Sequence, residues 1–293
     1  MPCIKAEKLT HVYFPGTPLQ AEALGGIDLE ISRGEFLVLA GASGSGKTTL
    51  VMHFNGLLLP TTGRVRVLGG DVTDRSHRSE LWRRVGLVFQ YPERQIFNLK
   101  VFDDIAFGVR NLGIDERAVA RRVNEALAMV GLPEKLQRAD PKTLSGGALR
   151  RVAIAGVLAM RPEVLVLDEP GAGLDPATRK SILRKLKDIQ AEYGTTVILI
   201  THHLEDAASY ADRVAVLCRG RLMGVGDAGQ MLGEAAMLRK AGLKAPFAVE
   251  LAGRLAEAGI QLPGIPLTPE EAAGMLQELL QTVRIEPGGD TTC

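Results

Sequence analysis

The sequence predicts an α/β fold: a mostly parallel sheet with helices on both faces, a small antiparallel β subdomain, an inserted helical subdomain and a C-terminal helical appendage. Three observations predict it. Short apolar runs without polar alternation, such as Phe36-Leu37-Val38-Leu39-Ala40 and Val164-Leu165-Val166-Leu167, read as strands buried on both faces. The glycine-rich loop Gly41-Ala42-Ser43-Gly44-Ser45-Gly46-Lys47-Thr48 joins one such strand to a helix and fits the phosphate-binding pattern G-x-x-x-x-G-K-[ST] in full. Between residues 101 and 137 the pattern turns helical with no strand signal, as an insertion into the core would.

Taken in order, residues 4–13 read as a strand ending at Tyr13. A Pro/Gly turn leads to a second strand through Ile27 to Ile31, and Ser32-Arg33-Gly34-Glu35 turns tightly into the Phe36 strand. The helix behind the glycine-rich loop is expected over 48–57. Arg64-Val65-Arg66-Val67-Leu68 alternates cleanly, as a strand of the small antiparallel sheet, and Val85 to Phe89 is another buried strand, ending in Gln90. Ser145 is a sound N-cap for a helix over 148–160, and Asp175-Pro176 opens a long helix with a capping side chain and proline at the first helical position. Thr195 to Thr201 is an apolar strand ending at His202-His203, and residues 213–225 hold a hairpin around Arg219-Gly220. Beyond about residue 230 amphipathic helix takes over. Phe247, Leu251 and Leu255 recur every four residues, and Thr268-Pro269-Glu270-Glu271 forms a capping box. That appendage is either a tail packed on its own core or a dimerisation element.

The 293 residues suffice for one large domain with an appendage. Hydrophobic residues make up 46 %, charged residues 24 %, and the net charge of +1 gives no reason to expect nucleic acid. The arginine pairs Arg83-Arg84, Arg121-Arg122 and Arg150-Arg151 read as solvated helix faces. Cys3, Cys218 and Cys293 lack both disulfide and metal-ligand spacing, which points to a reducing cytoplasm. No apolar stretch approaches the roughly 20 residues of a membrane span, so any span must come from another chain.

The glycine loop places backbone N–H groups and a helix N-terminus around a phosphate. Lys47 adds a cation for the outer phosphates, and the Thr48 hydroxyl is placed for Mg²⁺. Asp168, at the end of a buried strand, can reach the metal through water, and Glu169 can orient an attacking water. Gln90 and His202 end strands on the same edge, within reach of a γ-phosphate. The glycines after Ser145 leave donors uncovered at a second helix N-terminus, so the chain carries two phosphate-binding devices.

In this order, Gly41 to Thr48, Gln90, Leu144-Ser145-Gly146-Gly147, Asp168-Glu169, Ala172-Gly173-Leu174-Asp175 and His202 resemble the motif series of ATP-binding cassette (ABC) transporter ATPases, over roughly residues 1–230. The resemblance implies a P-loop NTPase core that binds ATP and Mg²⁺, with Glu169, His202 and Gln90 catalytic. It gives the metal to Thr48, Gln90 and Asp168. Nucleotide contacts would come from Tyr13, stacked on adenine, and from Gly41, Ala42, Ser43, Gly44, Ser45, Gly46, Lys47, Thr48 and Thr49. Two such subunits sandwich two ATP molecules in that family, so Ser145, Gly146 and Gly147 would serve the partner's ATP. Ala148 stands where the family usually has Gln or a similar polar residue. No N-K-x-D guanine-reading motif occurs, which favours ATP over GTP.

Gln90-Tyr91-Pro92-Glu93-Arg94-Gln95-Ile96-Phe97 and the C-terminal region are similar to energy-coupling factor (ECF) and cobalt-type transporter ATPases. That resemblance implies an ATPase powering uptake of a vitamin or transition-metal ion. Its partners would be a second ATPase, a transmembrane coupling subunit touched near Tyr91 to Phe97, and indirectly a membrane-embedded substrate-binding subunit. The chain is then a peripheral subunit on the cytoplasmic face of the membrane. Residues 1–230 would form the nucleotide-binding domain, with its helical subdomain at about 98–160, then a helical region at 231–286 and a disordered tail at 287–293. The alternatives are the ATPase of another ABC importer, a soluble non-transport ABC-type ATPase, and a non-hydrolysing ATP-binding scaffold.

Overall fold

The computed structural model describes residues 2–284, so the tail expected at 287–293 lies outside the described residues. The chain runs β1 (Pro2–Tyr13), β2 (Ala21–Ser32), β3 (Phe36–Ala40), α1 (Lys47–Phe54), β4 (Thr62–Val67), β5 (Gly70–Asp71), α2 (Arg75–Arg84) and β6 (Val85–Val88). It continues through α3 (Val101–Arg110), α4 (Glu116–Met129), α5 (Gly146–Leu158), β7 (Val164–Asp168), α6 (Pro176–Tyr193), β8 (Thr196–Ile200), α7 (Leu204–Tyr210), β9 (Arg213–Cys218) and β10 (Arg221–Asp227). Four helices follow: α8 (Ala228–Gly233), α9 (Ala235–Lys240), α10 (Phe247–Glu257) and α11 (Pro269–Arg284).

The strands form two sheets. One is antiparallel, ordered β2-β1-β4-β5; the other, ordered β10-β9-β3-β8-β7-β6, is parallel from β9 to β6 with β10 antiparallel at its edge. Every residue of β3, β7 and β8 is buried, which is why these runs are apolar without alternation. The two faces of the parallel sheet still enter different cores. Phe36, Val38 and Ala40 of β3 pack with Ile105, Val123, Ile154 and Leu186 of the helices on one side. Leu37 and Leu39 pack with Leu50 and Phe54 of α1 and with Ile4, Ile27 and Val65 of the antiparallel sheet. The β9–β10 hairpin turns at Arg219 and Gly220, both at left-handed φ (48° and 74°), as a two-residue hairpin requires.

Helix ends follow the capping chemistry. The Asp175 carboxylate accepts from Thr178 N at 2.9 Å ahead of Pro176, and α6 stops at Gly194. At α11, Thr268 Oγ1 accepts from Glu271 N at 3.3 Å, while the Glu271 carboxylate reaches back to Leu267 N at 2.8 Å, one residue beyond the box partner expected.

At three helices the structure departs from or adds to the sequence reading. The first helix ends at Phe54, not at 57: Asn55 caps it and Gly56 turns the chain at φ 76°. The helix α2 has no counterpart in the apolar periodicity, because Leu81 alone among its residues is buried and the Asp74 cap supplies its start. The stripe Phe247, Leu251, Leu255 does not form the buried face of α10. Ala248 and Val249 are buried instead, and Phe247 is 60 % exposed.

Candidate nucleotide site

The strand β3, hydrogen-bonded between β9 and β8, delivers the glycine loop to the carboxyl edge of the parallel sheet. The loop's shape depends on having no side chains at two positions. A Cβ on Gly41 would collide with the Leu217 carbonyl, and one on Gly46, at φ 101°, would sit 2.7 Å from the Ala23 carbonyl and 2.9 Å from Leu24 Cδ2. Gly46 is the N-cap of α1 and gives it no side-chain bond. The first N–H groups of α1, which have no intrahelical partners, therefore face the loop.

Lys47 is buried, and its Nζ donates to Gly41 O and Ala42 O at 2.8 Å and to Ser45 Oγ at 3.2 Å. Burial lowers its pKa, opposed by the charges of Glu169 and Asp168. Thr48 Oγ1 donates to Asp168 Oδ2 at 2.6 Å. Burial raises the Asp168 pKa, while the Thr48 hydrogen bond counteracts it. Glu169 follows at φ 47°, a left-handed conformation that costs a non-glycine residue about 1–3 kcal/mol. Its backbone is held there by Glu169 N donating to Ile200 O at 3.0 Å. The Glu169 carboxylate accepts from His202 Nδ1 at 2.7 Å. Next along the chain, His203 stacks on the His202 ring at 4.2 Å and has its pKa lowered by burial first and then by Arg179.

These groups line one open cavity of about 1030 Å³, together with Gln90 and residues 41–49. Tyr13 is not in the lining but touches it, its hydroxyl lying 3.2 Å from Thr49 Oγ1. Ser145, Gly146 and Gly147 are elsewhere: Ser145 caps α5 by accepting from Ala148 N at 3.3 Å, and Ser145 and Gly146 are exposed on a surface outside the cavity. Ala148 is half-buried against the helical core.

Sequence reasoning missed several participants. Glu22, Ala23, Arg219 and Gly220 line the cavity, as does the turn Gly242 to Lys244, where a Cβ on Gly242 would lie 3.5 Å from Ala42 Cβ. No local pattern marks them. Arg150 is a correction: it is no solvated helix residue but is only 3 % exposed. Its Nε and Nη2 bind the Glu93 carboxylate at 3.0 and 2.7 Å, and its Nη1 donates to Pro170 O at 3.1 Å and to Ala172 O. The fork holds Glu93 well ionised: its pKa is lowered in spite of burial, through the Arg150 hydrogen bonds. Beside that contact, Tyr91 at φ 56° starts a single helical turn over Pro92–Gln95. A groove of about 370 Å³ follows, lined by Trp82, Ile96, Phe97, Phe107, Val157 and Met160. Phe97 and Phe107 meet edge to face at 5.1 Å and are both exposed.

A phosphate cradle, an Asp–Glu pair at a strand end, a strand-end histidine and a second helix N-terminus aimed elsewhere define a nucleotide-hydrolysing cassette. The profile of the ABC transporter family matches residues 24–172, and the chain belongs to that family. Within it, the chain groups with the energy-coupling factor transporter ATP-binding proteins. It is 47 % identical to EcfA2 of Symbiobacterium thermophilum over 94 % of this chain and 95 % of that protein. It is also 44 % identical to EcfA2 of Clostridium acetobutylicum over 96 % and 99 %. Among solved structures, cbiO1 of Clostridium perfringens, described as part of the ABC transporter complex cbiONQ, superposes with a TM-score of 0.74 at 37 % identity, over 87 % of this chain and 99 % of that one. The dimeric ATP-binding cassette MJ0796, bound to ADP and Pi, gives 0.70 at 29 % identity over 77 % and 98 %. The protein is an ABC ATPase of the energy-coupling factor type, and it binds and hydrolyses ATP. No helix among the described residues is long and apolar enough to cross a membrane.

Proposed function

We propose that this chain is one of two paired ATPases that drive uptake of a vitamin or transition-metal ion through separate membrane subunits, working peripherally at the cytoplasmic face. The observation that carries the site assignment is the convergence of Thr48–Asp168 and Glu169–His202 on one cavity over the glycine loop.

The loop N–H groups and Lys47 bind the phosphates of ATP, with Tyr13 and Thr49 on the base side. The pairing of hydroxyl and carboxylate at Thr48 and Asp168 fits Mg²⁺, with Gln90 as a third side chain: burial makes an uncompensated Asp168 carboxylate costly, and a cation relieves that cost. Among the described residues no cluster of three or more His, Cys, Asp or Glu could hold a metal unaided, which suits an ion that shares its shell with phosphate oxygens and water. Bound there, Mg²⁺ neutralises charge on the transferred phosphoryl group. Glu169 orients the attacking water. The Nδ1–H of His202 is spent on Glu169, so the ring would meet the γ-phosphate as an imidazolium, donating its Nε2–H. The exposed N-terminus of α5, with Ser145, Gly146 and Gly147, completes the site of a second ATPase subunit, identical or paralogous. The groove at Phe97 and Phe107, next to Tyr91, receives the transmembrane coupling subunit. Its exposed aromatic walls favour that use.

Replacing the base tests the mechanism. Glu169→Gln is expected to lower ATP turnover at least about 100-fold while preserving ATP-dependent pairing with the partner ATPase, measured by phosphate release and light scattering. Turnover near the parental rate would remove Glu169 from its role, and ATP binding without pairing would remove the sandwich.

A further inference from the structure

Behind the phosphate loop, four residues close a ring of contacts that the hydrolytic groups do not use. The Tyr13 hydroxyl lies 3.2 Å from Thr49 Oγ1. One helical turn on, His53 Nδ1 donates to Thr49 O at 2.8 Å. The His53 ring meets His11 at 4.9 Å and 78°, and His11 meets Tyr13 at 4.6 Å and 77°, both edge to face. His11 Nδ1 donates to Leu59 O at 3.1 Å. Since a carbonyl only accepts, each imidazole carries its proton on Nδ1 when neutral.

His53 is fully buried, and its Nε2 has no hydrogen-bond partner among the described residues. Burial lowers its pKa, which keeps the ring neutral and its Nε2 an unused acceptor. A buried acceptor without a donor is a liability that a hydrocarbon side chain of similar size would avoid. What the imidazole supplies in return is the Nδ1–H bond to the backbone of α1 together with an aromatic contact towards β1. The ring thus spans two elements from different layers: β1, which ends at Tyr13, and α1, which begins at Lys47.

We propose that His11 and His53 are positioning residues that hold Tyr13, the base platform, at a fixed place relative to the phosphate cradle on α1. The proposal rests on the reading of Tyr13 as the residue that stacks on adenine. It assigns to the histidines the spacing between the base end and the phosphate end of the nucleotide site, so they influence ligands that carry a base and not the phosphate chain alone.

Titration calorimetry of the full chain with ATP and with tripolyphosphate tests this. His11→Ala and His53→Leu are expected to weaken ATP about threefold to tenfold, the loss of one aromatic pair, and to leave tripolyphosphate affinity as it was. His11→Phe, which keeps the edge contact, is expected to restore most of the ATP affinity. If both ligands weaken together the histidines merely support the loop, and if neither weakens, or if His11→Phe matches His11→Ala, they do not position Tyr13. Tyr13→Ala separates the two ideas. No preferential loss of ATP in Tyr13→Ala would end the platform reading itself, whereas a loss there without one in the histidine variants would overturn only the positioning role.

Discussion

Asp206 shows how a single side chain sets a pH dependence. It is buried at the start of α7, 3.6 Å from Arg179, and burial pushes its pKa from 3.8 up to about 6. The protonated form is thus favoured by folding: its contribution is complete below pH 3.8 and is lost as the pH rises through about 6. The swing is about 3 kcal/mol. Asp206→Asn removes it, so urea midpoints should show the variant gaining stability relative to the parent between pH 4 and pH 7; an equal difference at both would refute the assignment. Asp168 shifts in the same direction, but it is present in both proteins and cancels. At this scale legibility differed sharply between residues. Lys47, Thr48, Asp168 and Glu169 stood in a pattern whose chemistry is local, and the structure brings them together. Arg150 read as a solvated helix residue because its partner Glu93 lies 57 positions away, and only the fold makes them neighbours. His11 and His53 carried no signal for the same reason.

Among the elements, β3 followed by α1 carries the site, and each depends on its packing. Leu39 is fully buried on the α1 side of the sheet, two residues before Gly41. Leu39→Ala should cost about 2–5 kcal/mol, read as a lowered denaturation midpoint. Gly46→Ala acts differently, since its Cβ would strike the Ala23 carbonyl and its φ of 101° is strained for any other residue. ATP affinity should fall with it by more than tenfold; an unaltered affinity would show that the loop tolerates a side chain there. Buried strands were legible because burial on both faces leaves an unbroken apolar run. The helix α2 was not, because it lies on the surface with one buried residue and its start depends on a capping carboxylate. The end of α1 was misplaced for a related reason. Leu57 extends the apolar run, yet Gly56 has already turned the chain.

For the molecule as a whole, the proposed partners map onto surfaces that this chain leaves uncovered. The stripe on α10, which sequence periodicity left open between a packed tail and a dimerisation element, faces outward at Phe247, while Ala248 and Val249 anchor the helix. If the appendage joins the two ATPases, Phe247→Glu should weaken ATP-dependent pairing in sedimentation and leave the monomer's thermal stability within about 0.5 kcal/mol. A stability loss with unimpaired pairing would return that face to the chain's own core. Arg150 links these surfaces. One guanidinium, on α5, fastens Glu93 of the turn beside the Phe97–Phe107 groove to the carbonyls of Pro170 and Ala172, just past Glu169. In terms of fuel economy, that joint opposes slippage. Under the proposed assembly, a membrane subunit that shifted the Glu93 turn would also pull, through the Arg150 guanidinium, on the backbone just past Glu169, so ATP could not be spent without cargo moved unless that ion pair first parted.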